Sequence, residues 1–210
     1  MQTPFTTAIL SDSLDKVGHR HQVLEQRLEC VIPGTRIFGR TRTAEFRPTD
    51  ILDPELPYDD AIEFIDSIEP GDLVVIGTGE SNASAFSGEL FSAAAIGRGA
   101  VGMITDGNLR DRDRVVGLGF GAFGRSARPI DYRGRMVLAA SHAPVTIGGV
   151  TIAPGDLVMA DDDGTVVTPQ SIEAEVIAAA TERVSGESIV LEELLGGATL
   201  RQVWDKYRVL

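Results

Sequence analysis

The chain has 210 residues, 43% of them hydrophobic, which is enough for one well-buried domain. Its formal net charge of −12 argues against nucleic acid or an anionic membrane as partner, and its single cysteine, Cys30, excludes an internal disulfide. No charged-then-apolar leader opens the sequence and no apolar run approaches ~18 residues, so a soluble protein in the reducing cytoplasm is expected.

The first predicted element is a helix over residues 7–18, with Leu10, Leu14 and Val17 at helical spacing and Gly18 as its stop. Asp12 lies on it, and a solvated helix face is the expected environment for that carboxylate. His19, His21 and His142 have no ligand spacing, so no zinc site is expected from them. Residues 36–46 alternate partly, as in a half-buried strand, and Pro48, Pro54 and Pro57 mark a loop after it. A second helix follows Asp59-Asp60, with Ile62, Phe64, Ile65 and Ile68 as its apolar face. Its acidic residues suit a helix dipole better than a metal cluster.

The centre of the chain is a strand–helix–strand unit in residues 71–113. An apolar run at 73–76, Leu-Val-Val-Ile, predicts a buried strand, and a loop rich in glycine and serine follows it. Gly77-Thr78-Gly79 is an incomplete dinucleotide fingerprint, because Asn82 stands where the third glycine belongs. Leu90, Phe91, Ala94 and Ala95 then set a helical pattern stopped by Gly97 and Gly99. A second apolar run, 100–105, ends at the turn pair Asp106-Gly107.

Such a crossover makes the two strands parallel, so both end on the sheet edge where ligands of open α/β sheets collect. Two segments converge there: residues 87–91 at the helix start and residues 108–111 after the second strand. With Ser87 as the N-cap, the amides of Gly88, Glu89, Leu90 and Phe91 lack intrahelical partners and form an anion site. Arg110 offers a planar fork matched to a carboxylate, and Asp111 can hold a hard divalent cation whose shell is otherwise water and substrate. Together they suit a small anionic 2-oxo acid.

Beyond this unit, residues 117–134 form a connection rich in glycine and arginine. Its Arg125, Arg128 and Arg133, with Arg135 beyond, are candidates for a positive substrate wall or for subunit contacts. Asp163-Gly164 predicts a hairpin turn rather than a calcium loop. After Pro169 the pattern is helical through Trp204. The tail carries Glu182, Glu187, Glu192 and Glu193 and is expected to pack on a neighbouring subunit.

Gly88-Glu89-Leu90 followed by Arg110-Asp111 resembles the signature of the RraA-like family. In that family's catalytic branch, the 4-hydroxy-4-methyl-2-oxoglutarate aldolases, an acidic residue is followed after twenty positions by Arg-Asp. Twenty residues separate Glu89 from Arg110 here. Residues 144–150 and 154–164 resemble the closing strands of the family, so the resemblance runs from about Ser11 to Pro169. It departs at Asn108-Leu109, where the family more often has Gly and Val.

The resemblance implies an α/β fold, a swivelling ββα domain over residues 1–169, with a C-terminal helical extension over 170–210. It implies a homotrimer or hexamer with sites at the subunit boundaries, and retro-aldol cleavage of a 4-hydroxy-2-oxo acid to pyruvate. Decarboxylation of oxaloacetate passes through the same enolate. The implied roles are Mg²⁺ or Mn²⁺ on Asp111, Arg110 stabilising the enolate, and the amides of Gly88, Glu89, Leu90 and Phe91 holding the C1 carboxylate. Glu89 would also position the water that takes the C4 hydroxyl proton. Two rivals remain. One is a non-catalytic regulator that binds ribonuclease E, from a founding branch expected to be shorter and to lack the helical extension. The other is a related lyase on another 2-oxo or sugar acid.

Overall fold

The computed structural model describes residues 3–52 and 55–209; Pro54, one of the loop markers, lies outside them. In chain order the elements are α1 (Thr7–Lys16), β1 (Glu29–Cys30), β2 (Ile37–Pro48), α2 (Asp59–Asp66), β3 (Asp72–Gly77) and β4 (Ala85–Ser87). They continue with α3 (Glu89–Arg98), β5 (Gly102–Leu109), α4 (Arg112–Gly117), β6 (Ala122–Ala127), β7 (Met136–Ser141), β8 (Val145–Ile147) and β9 (Val150–Ile152). Last come β10 (Leu157–Ala160), β11 (Thr165–Thr168), a short 3-10 turn at Gln170–Ile172, α5 (Glu173–Leu195) and α6 (Leu200–Tyr207).

Nine strands form one mixed sheet in the order β1-β6-β5-β3-β2-β10-β11, with β4 paired to β5 and β7 paired to β2. The central strands β2, β3, β5 and β6 run parallel, as the crossover requires. The apolar run of β3 is continuous because both of its faces are covered. Val74 and Ile76 join a core with Phe64, Ile65 and Ile68 of the α2 segment and Ala95 of α3, while Leu73 and Val75 join a second core with Ile147 and Ile152 of β8 and β9. A third core packs α5 through Val176 and Ala180 onto Leu10 and Leu14 of α1.

The acidic run 161–164 is the predicted hairpin turn. The Asp161 amide donates to the Gly164 carbonyl at 3.0 Å, joining β10 to β11. The buried Asp161 carboxylate accepts the Thr7 amide at 3.0 Å and the Thr7 hydroxyl at 2.6 Å, so it fastens the start of α1 to the sheet.

Four expectations need correction. The strand after the central helix does not stop at Asp106-Gly107; β5 runs on to Leu109, and all eight of its residues are buried. The side chain of Asp106 accepts the amides of Thr78 and Glu80 and so folds the loop after β3, and a Cβ on Gly107 would come within 2.6 Å of the Phe86 ring. Glycine is there because the Phe86 ring of β4, the strand paired alongside, packs against this position, not because the chain turns. Pro48, expected in a loop, ends β2 on its pairing with Met136 of β7. Gly97 lies inside α3, and the helix ends only at Gly99, whose φ of 92° is left-handed. Ile62 is 47% exposed, and Ala61 takes its place in the core. Among the described residues no helix is long and apolar enough to cross a membrane.

Candidate active site

β5 delivers Arg110 and Asp111 at its carboxyl end. β4 pairs alongside it, with Ala85 opposite Asn108 and Ser87 opposite Leu109, and the Arg110 amide donates to the Ser87 carbonyl at 2.9 Å. The short strand β4 has no signal in the sequence pattern, yet it sets Gly88 beside Arg110 and Asp111. A Cβ on Gly88 would lie 2.7 Å from Arg110 Cγ and overlap Asp111 Oδ2, so only glycine leaves the two side chains where they are.

The helix start differs from the expectation. Ser87 belongs to β4, and the N-cap is Gly88, an extended residue with no side chain to cap α3. Asp111 caps the helix from outside: its Oδ2 accepts the Glu89 amide at 3.2 Å. One of the four amides assigned to an anion is therefore taken by protein. Leu90 and Phe91, in the first turn, still have no intrahelical acceptor. Asp111 has a φ of 53°, a left-handed conformation that aspartate tolerates better than most residues.

Gly88, Glu89, Leu90, Phe91, Arg110 and Asp111 line one pocket of about 620 Å³ together with Tyr58, Ile62, Phe86, Arg114, Asp131 and Tyr132. All six residues of the signature and helix start thus meet in one place. Tyr58, Asp131, Tyr132 and Arg114 were not foreseen. Asp131 comes from the connection of residues 128–135, where the arginines drew attention. Arg125 and Arg128 are not in the lining of this pocket and donate instead to the carbonyls of Glu80 and Asn82.

Asp131 Oδ2 accepts Arg110 Nη1 at 2.6 Å and the Tyr58 hydroxyl at 3.1 Å, and its Oδ1 accepts the Arg133 amide at 2.8 Å. Burial works against charge on Arg110, but the hydrogen bond and charge of Asp131 outweigh it and move its pKa up. Burial likewise pushes Asp131 up, and the Arg133 amide with the Arg110 guanidinium more than offsets it, holding this carboxyl below the usual range. Burial and the charge of Asp131 raise both Tyr58 and Tyr132, so both stay neutral phenols.

The rim carries Glu89, Asp111 and Asp131 against Arg110 and Arg114, an excess of one negative charge. Arg114 is 3.9 Å from Glu89, and Arg110 Nε is 3.6 Å from Asp111 Oδ2. A cation held at Asp111 would shift that balance in favour of an anionic ligand. Among the described residues no three His, Cys, Asp or Glu side chains form a metal cage. The donor set fits a hard cation of the Mg²⁺ type, held by a half-exposed carboxylate and otherwise by water and ligand.

A pocket at the carboxyl edge of parallel strands, beside a helix N-terminus, places the candidate site where ligands of open α/β sheets collect. A family description, Aldolase/RraA, matches residues 7–167, and the chain belongs to this RraA-like family. It is 27% identical over 184 residues to a Halalkalibacterium halodurans protein named "Putative 4-hydroxy-4-methyl-2-oxoglutarate aldolase", covering 84% of this chain and 79% of that one. It is also 25% identical over 201 residues to protein DlpA of Legionella pneumophila, covering 96% of this chain but spanning only 32% of that longer relative.

Among solved structures, an uncharacterized protein from Pseudomonas syringae pv. tomato superposes with a TM-score of 0.83 at 30% identity, over 94% of this chain and 92% of that one. Streptomyces coelicolor RraAS2, described as an unusual member of the RNase ES inhibitor RraA protein family, gives 0.81 at 27% identity, over 90% and 93%. The swivelling ββα domain with a C-terminal helical extension is therefore the fold found. The likeness to RraAS2 reaches past residue 169.

Proposed function

We propose that this protein is a divalent-metal-dependent class II aldolase that cleaves a 4-hydroxy-2-oxo acid of the 4-hydroxy-4-methyl-2-oxoglutarate type to pyruvate, with oxaloacetate decarboxylase activity. The observation that carries the reading is the meeting of Gly88, Glu89, Arg110 and Asp111 in one pocket, from two segments twenty residues apart. The aldolase names of several relatives support it.

In this reading the first-turn amides of α3, Leu90 and Phe91 foremost, bind the C1 carboxylate. Mg²⁺ or Mn²⁺ held through Asp111 would supply Lewis-acid polarisation of the C2 carbonyl. Glu89 orients the water that receives the C4 hydroxyl proton. As that proton leaves, C4 becomes a carbonyl, the C3–C4 bond breaks, and its electron pair moves into the C2–C3 enolate. Arg110 donates to the C2 oxygen as negative charge develops there. Protonation at C3 gives pyruvate. With oxaloacetate, carbon dioxide leaves in place of the C4 carbonyl product and the same enolate forms.

The exposed Leu191, Leu195, Leu200 and Trp204 of the helical tail support assembly into a trimer or hexamer. The likeness to RraAS2 keeps a second reading in play, a regulator that binds ribonuclease E. The deciding experiment is pyruvate release from oxaloacetate and a panel of 4-hydroxy-2-oxo acids with Mg²⁺ or Mn²⁺. Catalysis lost on chelation and restored by metal is expected; no release from any of them favours the regulator.

A further inference from the structure

The guanidinium of Arg110 is hydrogen-bonded at one nitrogen. Nη1 is committed to Asp131 at 2.6 Å and Nε lies 3.6 Å from Asp111 Oδ2, whereas Nη2 has no partner among the described residues. Asp131 is itself fixed from three directions. Tyr58 and Arg110 share its Oδ2, the Arg133 amide occupies its Oδ1, and its backbone forms a bridge to Ala85 of β4, the strand paired to β5 just ahead of Arg110. Tyr58 stacks edge-on against Tyr132 at 5.5 Å between ring centroids, and Tyr132 does the same against Phe46 at 5.1 Å. The brace that ends on Arg110 thus starts in the core.

We propose that Asp131, backed by Tyr58, is the positioning residue for Arg110: it fixes the plane of the guanidinium and reserves the remaining donors for the substrate oxygen. This rests on the aldolase reading for what Arg110 does, though not for how it is held. The electrostatics explain why a carboxylate serves. Asp131 cancels the charge of Arg110 toward a resting anion, so the brace adds little to substrate affinity; its contribution is a donor already aimed at the oxygen where charge grows during the reaction. A side chain that only supported the fold would affect stability without dividing its effect between kcat and KM in this way.

The test combines a mutant cycle with a measurement that needs no turnover. Asp131→Asn keeps the shape and removes the charge. It is expected to lower kcat for oxaloacetate by about 10–100-fold while KM stays level or falls. The same change made on top of Arg110→Lys should cost less than about 3-fold, because the residue it acts through is gone. Full, additive losses in the double mutant would overturn the proposal. Independently, the Arg110 guanidinium protons, assigned by NMR through their absence in Arg110→Lys, should show hindered rotation in the wild type and free rotation in Asp131→Asn. Equal rotation in both would also overturn it. If the wild type releases no pyruvate, the aldolase reading fails while the NMR comparison still decides the brace. Should Asp131→Asn fail to fold, Tyr58→Phe carries the test: a kcat loss of about 3–10-fold without a rise in KM supports the proposal, and an unchanged kcat refutes it.

Discussion

Asp111 and Glu89 are joined directly: the Asp111 carboxylate accepts the Glu89 backbone N–H at 3.2 Å, so the proposed metal ligand also caps the proposed anion-binding helix. The two halves of the signature, twenty residues apart, are one hydrogen-bonded unit. Its consequence is that truncating this side chain disturbs the metal and anion sites together, whereas an isostere separates them. Asp111→Asn keeps an acceptor for the amide and tolerates the left-handed backbone, but it removes the charge that holds a cation. We expect it to fold with a Tm close to wild type and to lose at least about 100-fold in pyruvate release. Asp111→Ala should also lose stability, by about 1 kcal/mol for the missing cap. Thermal melts and steady-state assays on both variants check this, and an active Asp111→Asn would remove the metal from the mechanism.

Gly88 offers a test that leaves every charged group in place. A methyl there must displace Arg110 or Asp111, because it would lie 2.7 Å from Arg110 Cγ and against Asp111 Oδ2. Arg110 is met at Cγ, near its backbone, and Asp111 at Oδ2, the oxygen that would have to leave the Glu89 amide. Gly88→Ala is therefore expected to fold and to lose about 100-fold in kcat/KM, the scale of a misplacement near 1 Å. Wild-type kinetics in this variant would mean that the geometry of the rim is irrelevant to turnover.

A third prediction concerns stability rather than catalysis. Burial pushes the Asp161 carboxyl up, but hydrogen bonds from the Thr7 hydroxyl and amide and from the Asp163 amide, with the charge of Arg36, carry it below its usual value. A depressed carboxyl pKa stabilises the fold above the unfolded value, near 3.9, and that contribution is lost as pH falls through the folded one. Asp161→Asn should cost about 1.5–3 kcal/mol at pH 7. Denaturant titrations should find the gap constant from about pH 5 to 7 and narrowing below about pH 4. A gap that widens on acidification would show that Asp161 is not the anchor of α1.

The sequence exposes what short-range pattern controls. The helix stop at Gly99, the hairpin at Asp163-Gly164 and the run of β3 depend on neighbours within a few residues, and each was legible. Asp106-Gly107 was misread because the same pair that makes a turn also suits a strand crossed closely by Phe86, and nothing local distinguishes the two. Ile62 was misread for a related reason: α2 has apolar residues on more than one face, and Ile62 lines the pocket instead of the core. The signature revealed Arg110 and Asp111 but not Asp131, since a carboxylate that braces an arginine can come from any segment the fold brings near. Tyr58, more than fifty residues before it, was invisible on the same ground.

Assembly is a fourth expectation. Leu195 is 80% exposed and Leu200 60% exposed on the tail, and Leu90 is 80% exposed at the rim of the pocket. Of Glu182, Glu187, Glu192 and Glu193, three are held within the chain, Glu182 by Lys16, Glu187 by Arg183 and Glu193 by Lys206. Apolar contact is therefore the expected basis of assembly. Light scattering at micromolar concentration should give the mass of three or six chains. Leu195→Glu combined with Leu200→Glu should reduce that mass and the activity together; a wild-type monomer with full activity would contradict the expectation.

The last prediction separates charge from geometry at Arg110. Lysine keeps a positive charge, but it has no planar fork to meet Asp131 on one side and a substrate oxygen on the other. If Arg110 acted only by attracting an anion, Arg110→Lys would keep most of its activity and any loss would appear in KM. If it donates to an oxygen that gains charge during the reaction, the loss appears mainly in kcat. The surroundings favour the second outcome, because Asp131 at 2.6 Å and Asp111 at 3.6 Å already neutralise the guanidinium toward a resting substrate. We expect Arg110→Lys to fold, to bind Mn²⁺ as the wild type does, and to lose about 2–4 kcal/mol of transition-state stabilisation, the scale of one preorganised donor to an oxyanion. Oxaloacetate is the substrate of choice, since its turnover needs no knowledge of what the far end of the pocket accepts. Near wild-type kcat with lysine at this position would make Arg110 a binding or structural residue, and the enolate mechanism would lose its central support.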